Sequence, residues 1–334
     1  MDRQGIWLEL EHPFTKFFFT ILTKPVYTTK TMSILVSGLV NIETTLKIDA
    51  FPLEYDPVRY PFWGINTTVS GVGTNVSLAL HTLGKDVYFC TLLGTDFYGE
   101  MAHDWIQRQG LSTEFFIRLL PQTAQSIILY DTAGRRQIHV DLKNIQEQRY
   151  PRDLFAVALD RVSAVVLCNI NFNRPLLEMA KQKGIPICTD VHTIADPEDE
   201  YNRDFMAAAD VLFLSDEKLW TGADKAAQDL MDRYNNKLIV IGQGERGALL
   251  LEQHGRPIQL PAVKTRPIVS TIGAGDALFS SFINFYIDGC SPLESLKRAM
   301  VFASWKIGTA GASQGFLNSY ELEKLYTQDM PSAI

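Results

Sequence analysis

The residues with the clearest chemical potential are Ser270-Thr271-Ile272-Gly273-Ala274-Gly275-Asp276, which run directly into Ala277-Leu278-Phe279-Ser280-Ser281-Phe282. Small residues followed by an amphipathic run predict a tight turn at a helix N-terminus. The exposed N–H groups and the helix dipole attract an anion there. Glycine at 273 and 275 lets a phosphate approach the backbone without meeting a Cβ. Asp276 then lies in the first turn, where a carboxylate can accept the proton of an attacking hydroxyl beside a bound phosphoryl group. The same residues would also serve as a plain helix cap and turn. A second glycine-rich turn, Gly71-Val72-Gly73-Thr74-Asn75, again opens a helix. Val76 stands where a dinucleotide fingerprint needs its third glycine. This segment is either a tight strand-to-helix turn, or a place where Asn75 bonds a polyol and the glycines permit close approach. No G-x-x-x-x-G-K-S/T run occurs, which argues against a P-loop kinase.

Other candidates are weaker. Asp190-Val191-His192 follows a strand end, where open α/β sheets place ligands, though a solvated loop explains it equally. Arg135 and Arg136 lie at the tip of an expected hairpin, either exposed or meeting an anionic substrate group. Asn169 and Asn171 follow another strand and could touch substrate.

These residues need elements to hold them. Ser33–Ser37 is the first strong strand. Thr44 to Phe51 and Ile65 to Val69 are β-rich around a broken Pro52–Pro61 stretch. Asn75 to Leu83 reads as a helix stopped by Gly84, Val87 to Leu93 as a strand, and Tyr98 to Gln109 as a helix stopped by Gly110. Ser126–Tyr130 and Gln137–Leu142 flank Asp131-Thr-Ala-Gly134, a hairpin turn. After Pro151, apolar runs at 164–167, 186–189, 211–214, 238–241 and 248–251 alternate with amphipathic helices such as 175–183 and 223–234. Continuous buried strands alternating with helices imply a largely parallel sheet covered on both faces. Helices are expected over 274–288, 292–310 and 319–327. The β-rich pieces, about 44–71 and 114–143, fall outside this rhythm and would form a small separate sheet. Residues 1–31 lack a clear period and read as an extension to a domain over 32–330, with Met32 as a possible natural start.

The motifs resemble those of a ribokinase-like sugar kinase of the PfkB carbohydrate kinase family, from Met32 onward. Gly71-Val-Gly-Thr-Asn75, Leu83-Gly84-Lys-Asp-Val87 and Leu93-Gly94-Thr-Asp96-Phe-Tyr-Gly99 resemble the family's first signature, and Gly273-Ala-Gly-Asp276 its second. Ala209 to Leu214 resembles the strand before its N-x-x-E motif, and Gly244-Glu-Arg-Gly247-Ala248 its nucleotide-side turn. The resemblance implies an α/β/α three-layer core with a mostly parallel sheet and a small β-sheet lid. It implies transfer of the ATP γ-phosphate to a hydroxyl of a sugar or sugar-like molecule, with Mg2+. Asp276 matches the catalytic base, and the Gly273, Ala274 and Gly275 amides match the anion hole. Asn41, Glu43, Gly71, Gly73 and Asn75 match substrate contacts; Gly244, Gly247 and Ser304 fall at the ATP side. Three departures stand out. Ser270 replaces an Asp, which puts monovalent-cation activation in doubt. The N-x-x-E motif reads Ser215-Asp216-Glu217-Lys218, with Asp216 or Glu217 as possible metal contacts and Lys218 reversing a charge. Glu43 replaces an Asp one methylene shorter. The alternatives are a nucleoside kinase, with Phe51, Phe62 and Trp63 available to stack a base, and a non-catalytic sugar- or nucleotide-binding regulator.

Composition bounds the rest. The 334 residues carry a formal net charge of −7, 46% hydrophobic and 21% charged residues. A sizeable core is affordable in area, and no basic run suggests nucleic acid. No segment has the ~18 apolar residues of a membrane span. The apolar patch Phe17–Leu22 has an acidic upstream flank and no cleavage site, unlike a signal peptide. Cys90, Cys168, Cys188 and Cys290 are scattered, as expected of reduced thiols in a cytoplasmic protein. Open sheet edges in the lid suggest a homodimer.

Overall fold

The computed structural model describes residues 32–132 and 135–329. The extension expected over 1–31, and Ala133 and Gly134 of the hairpin turn, lie outside them. The first half contains β1 (Ser33–Ser37), β2 (Asn41–Lys47), β3 (Ile65–Ser70), α1 (Val72–Thr82), β4 (Asp86–Gly94), α2 (Phe97–Arg108), β5 (Phe116–Leu120), β6 (Ala124–Tyr130), β7 (Arg136–Asp141) and α3 (Arg152–Leu159). The second contains β8 (Ala164–Leu167), α4 (Arg174–Lys183), β9 (Ile187–Thr193), α5 (Arg203–Ala208), β10 (Val211–Ser215), α6 (Ala223–Tyr234), β11 (Leu238–Gly242), β12 (Ala248–Glu252), β13 (Ile258–Leu260), α7 (Ala274–Ile287), α8 (Pro292–Lys306) and α9 (Ser319–Asp329).

Nine strands form the large sheet, in the order β13-β12-β11-β10-β9-β8-β1-β4-β5. From β11 to β5 the pairings are parallel; β12 and β13 add antiparallel at one edge. Side chains alternate across it, as a two-residue period requires. Leu35, Val165, Leu167, Ile239 and Ile241 pack on one face with Phe155, Leu176, Phe205 and Leu230 of α3 to α6. Ile34, Val36, Val166, Leu238 and Val240 pack on the other with Val76, Ala102, Phe282 and Leu296 of α1, α2, α7 and α8. These strands carry apolar residues at odd and even positions alike because both faces are covered.

The second sheet has the order β3-β2-β6-β7, with β2 and β6 parallel and the other pairs antiparallel. It is the expected lid, with shifted limits. It begins at Asn41 rather than near 44, so Asn41 and Glu43 are residues of its first strand. Phe116–Leu120, inside the 114–143 segment expected in the lid, pairs instead with β4 at the edge of the large sheet. Helix α1 starts earlier than expected, at Val72, while α8 stops at Lys306 rather than near 310. Past that point Gly308, Gly311 and Gly315 break the helical run.

Candidate active site

The site forms where the heads of α1 and α7 meet the connection from β1 to the lid. Helix α1 is seated by backbone packing. A Cβ on Gly71 would lie 2.5 Å from the Leu39 carbonyl oxygen, and one on Gly73 would lie 2.6 Å from the Gly38 carbonyl carbon. These two glycines, expected as substrate contacts, let α1 pack closely onto the β1–β2 link. Their result is the position of Asn75, which is buried and donates through Nδ2 to Asp276 Oδ2 at 2.7 Å.

Asp276 stands in the first turn of α7, as expected. Burial pushes its carboxyl above the ordinary aspartate value. The Asn75 hydrogen bond, His192 and Lys306 pull it back, and the Asp190 carboxylate pushes it up. Just before it, the Ala274 amide donates to the Thr271 carbonyl at 3.2 Å and the Ala277 amide to the Gly273 carbonyl at 3.0 Å. The Gly275 and Asp276 amides have no carbonyl to meet within the helix, as first-turn amides do not. Of the three amides expected in the anion hole, Ala274's is thus already engaged. Gly273 has φ of 77°, and a Cβ there would press on Ala312, 2.8 Å from its carbonyl oxygen. Gly275 differs: a Cβ there would meet only Asp190 Oδ2, at 3.9 Å. The space over Gly275 is the open part of the cradle, and it suits a phosphoryl group approaching backbone amides.

On the lid side, Ser70 Oγ lies 3.0 Å from Glu43 Oε2 and 3.3 Å from Asn75 Oδ1, and Asn41 Nδ2 donates to Ser126 Oγ at 2.8 Å. Asn41 Oδ1 and Glu43 Oε1 are buried without a hydrogen-bond partner. Buried polar atoms are rarely left so, and a hydroxylated ligand would satisfy both. Burial also raises the Glu43 carboxyl, with Asp276 adding to the effect; Ser70, Lys306 and the Ala312 amide oppose it.

Asp190 and His192, read from sequence as following a strand end, lie within the last residues of β9. The His192 amide donates to Asp190 Oδ1 at 2.8 Å, and His192 adopts φ of 60°, a strained conformation for a non-glycine residue. Both residues bear electrostatically on Asp276. Arg136 reaches from the lid to the loop before α7, donating through Nη1 to the Thr271 carbonyl and Oγ1, each at 3.1 Å. Arg135 pairs with Asp131 instead. Asn169 and Asn171 are engaged away from this site, with Asn202 and Gln146.

The expected nucleotide side is the turn between β11 and β12. A Cβ on Gly247 would collide with the Leu260 carbonyl, whereas Gly244 faces open space. Packing therefore requires glycine at 247, whereas the space beside Gly244 is open. Ser304 is buried and ties α8 to the loop between β13 and α7, where the Thr265 amide donates to its Oγ at 3.0 Å. Asp216 is paired with Arg246, and Glu217 lies 3.5 Å from Arg136. Lys218 is exposed. Among the described residues no group of three or more His, Cys, Asp or Glu side chains could hold a metal ion by itself.

Sequence reasoning missed Lys306, which is fully buried behind the cradle and donates to the Ile272 carbonyl at 2.7 Å and to the Gly311 carbonyl. The only available signal was a lysine ending the apolar run Met300-Val-Phe-Ala-Ser-Trp.

The doubly covered sheet with its four-stranded lid is a ribokinase-like architecture. The family follows from sequence: the profile of the pfkB family carbohydrate kinases matches residues 33–318, and the chain belongs to that family. An acarbose 7(IV)-phosphotransferase of Actinoplanes is 27% identical over 271 residues, covering 79% of this chain and 88% of the relative. A deoxyribokinase of Salmonella typhi is 22% identical, covering 85% and 95%. Among solved structures, a microbiome-derived acarbose kinase superposes with a TM-score of 0.80 at 24% identity, covering 90% of this chain and all of that one. The ribokinase of Arabidopsis thaliana, complexed with ribose and ATP, gives 0.75 at 19%, covering 89% and 99%.

Proposed function

We propose that the protein transfers the γ-phosphate of ATP to a hydroxyl of a small carbohydrate, with Asp276 as the base. The observation that carries this reading is the pairing of a base with an open helix head: Asp276, held by Asn75, follows Gly275, where an added Cβ would meet only Asp190 Oδ2. The carbohydrate binds between lid and core, with Asn41, Glu43 and Asn75 orienting its hydroxyls. Asp276 takes the hydroxyl proton as the oxygen bonds to the γ-phosphorus. The bond from that phosphorus to the β,γ-bridging oxygen breaks, and ADP leaves with the electron pair. The first-turn amides of α7 stabilise the charge on the moving phosphoryl group.

ATP lies along the Gly244 side. Bound Mg2+ would neutralise phosphate charge, and Asp190, Asp216 and Glu217 are the carboxylates that would be available to hold it. The catalytic domain spans 32–330, with β2, β3, β6 and β7 as its lid and residues 1–31 outside it. Exposed apolar side chains on lid strands, including Ile65, Ile127, Ile138 and Val140, support pairing of two lids in a homodimer. Four free cysteines, three of them buried, support a cytoplasmic location. Carbohydrate is favoured over nucleoside because Phe62 and Trp63 are exposed and the Phe51 ring lies against Arg135.

Release of ADP from ATP and Mg2+ over a panel of sugars and nucleosides tests the reading. Turnover is expected with a sugar. Asp276→Asn should lower kcat by about 10³-fold and leave ATP affinity largely intact. Near-normal turnover in that variant would refute the assignment of the base.

A further inference from the structure

Lys306 acts electrostatically on Asp276 and Glu43, yet its hydrogen bonds go to neither of them. It is the last residue of α8, and its side chain is wholly buried, which lysines avoid unless they are paired. Its Nζ donates to two backbone carbonyls, those of Ile272 and Gly311, which belong to different loops. Ile272 immediately precedes the Gly273–Gly275 turn. Gly311 belongs to the 307–315 loop, whose Ala312 packs against Gly273 and whose Ser313 Oγ donates to the Val69 carbonyl of lid strand β3 at 2.8 Å. One ammonium thus fastens the cradle loop to the loop that meets the lid, at the place where they touch. Burial lowers Lys306 to about 8, while the Asp276 and Glu43 carboxylates favour its charged form. Two carbonyl acceptors and two nearby carboxylates around one nitrogen favour the ammonium form.

Backbone carbonyls converging on one point repel each other unless a positive charge lies between them. A desolvated monovalent cation in a carbonyl cage supplies that charge in other proteins. Resting on the kinase reading above, we propose that Lys306 is a positioning residue: a built-in cation that holds the Ile272 and Gly311 carbonyls, sets the α7 amides on the transferred phosphoryl group, and makes added monovalent cations unnecessary. A lysine that merely anchors two loops would contribute to stability, but its loss would not be answered by a small cation.

The test compares the whole chain with Lys306→Met in KCl, NH4Cl, NaCl and choline chloride at equal ionic strength. ADP release and melting temperature are read for each. The wild type should respond alike to all four salts. Lys306→Met should lose about 10²-fold in kcat, the scale of losing one charge-stabilising donor. It should regain part of that loss in K+ or NH4+ but not in choline, and K+ should raise the melting temperature of the variant alone. A loss that no cation restores, or a wild type activated several-fold by K+, would overturn the proposal. If the variant cannot be obtained folded, the wild-type series decides, since indifference supports the inference and activation by K+ overturns it. Absence of ADP release from the wild type with every acceptor would sink the kinase reading only, because the cation-dependent melting of Lys306→Met is read without turnover.

Discussion

Asn75 Nδ2 donates to Asp276 Oδ2 across 2.7 Å, joining the heads of α1 and α7 over a separation of 201 residues. A donor to a carboxylate favours its charged form. The proposed base works deprotonated, so the rate should rise with pH through the Asp276 pKa, which burial holds above the ordinary aspartate value of about 3.9. Asn75→Ala removes a group that lowers this pKa, and the acid limb of kcat/KM should move to higher pH. A limb that stays in place would show that another group governs it.

The two cradle glycines should respond oppositely to the same substitution. Gly273→Ala forces a side chain into φ of 77° and against Ala312. The left-handed backbone alone should cost about 1–2 kcal/mol. Gly275→Ala adds a methyl to the first turn of a helix, where only Asp190 Oδ2 is near, so stability should hold or rise by about 0.5–1 kcal/mol. Its kcat/KM should nevertheless fall, because the methyl fills the space assigned to the phosphoryl group. Urea unfolding and steady-state kinetics on both variants check this; full activity in Gly275→Ala removes the cradle.

Lys306 gives a stability prediction with a definite sign. Its value of about 8 in the folded chain lies below the ~10.4 of an unfolded lysine. Below the folded value, the cost of burying the charge is constant and complete. Between the two values the folded chain binds fewer protons than the unfolded one, so that cost declines as pH rises. The wild type should therefore gain stability relative to Lys306→Met across this window, and its activity should fall as the ammonium is lost. Asp276, Glu43 and Arg266 are the charged groups acting on it. Unfolding free energies at several pH values provide the measurement, and a wild-type advantage that shrinks there contradicts the assignment.

Arg136 is the lid's polar link to the loop before α7, through the Thr271 carbonyl and hydroxyl. Its position is exposed, so Arg136→Ala should alter stability by no more than about 0.5 kcal/mol. If the link helps close the lid over a bound acceptor, the acceptor KM should rise several-fold with a smaller change in kcat. Unchanged kinetics would leave Arg136 as an incidental surface contact.

Much of this architecture is legible in the chain because a doubly covered sheet has a plain pattern. Ala164–Leu167 and Leu238–Ile241 are apolar without interruption, and the Gly273–Asp276 turn opens its helix where the small residues predict. Phe116–Leu120 was misassigned because an edge strand carrying Arg118 looks like the half-exposed strands of a lid. Lys306 was missed because a lysine at a helix end ordinarily extends into solvent; only the folding back of 307–315 buries it. Gly71 and Gly73 stood out as glycines, but their reason lies in Gly38 and Leu39, which no local pattern connects to them. The electrostatic influence of Asp190 and His192 on Asp276 likewise depends on how β9 and α7 meet.

Asn41 and Glu43 occupy the first and third residues of β2, just past the Gly38–Val40 link to the core, while Arg136 and the 48–64 connection lie towards the far end of the lid sheet. Under the proposed roles, selection could rebuild the distal portion to admit bulkier or longer acceptors without disturbing recognition of the ring being phosphorylated. Diversification and chemistry are spatially decoupled in this layout, so mutational libraries confined to 48–64 should broaden acceptor range at little catalytic expense.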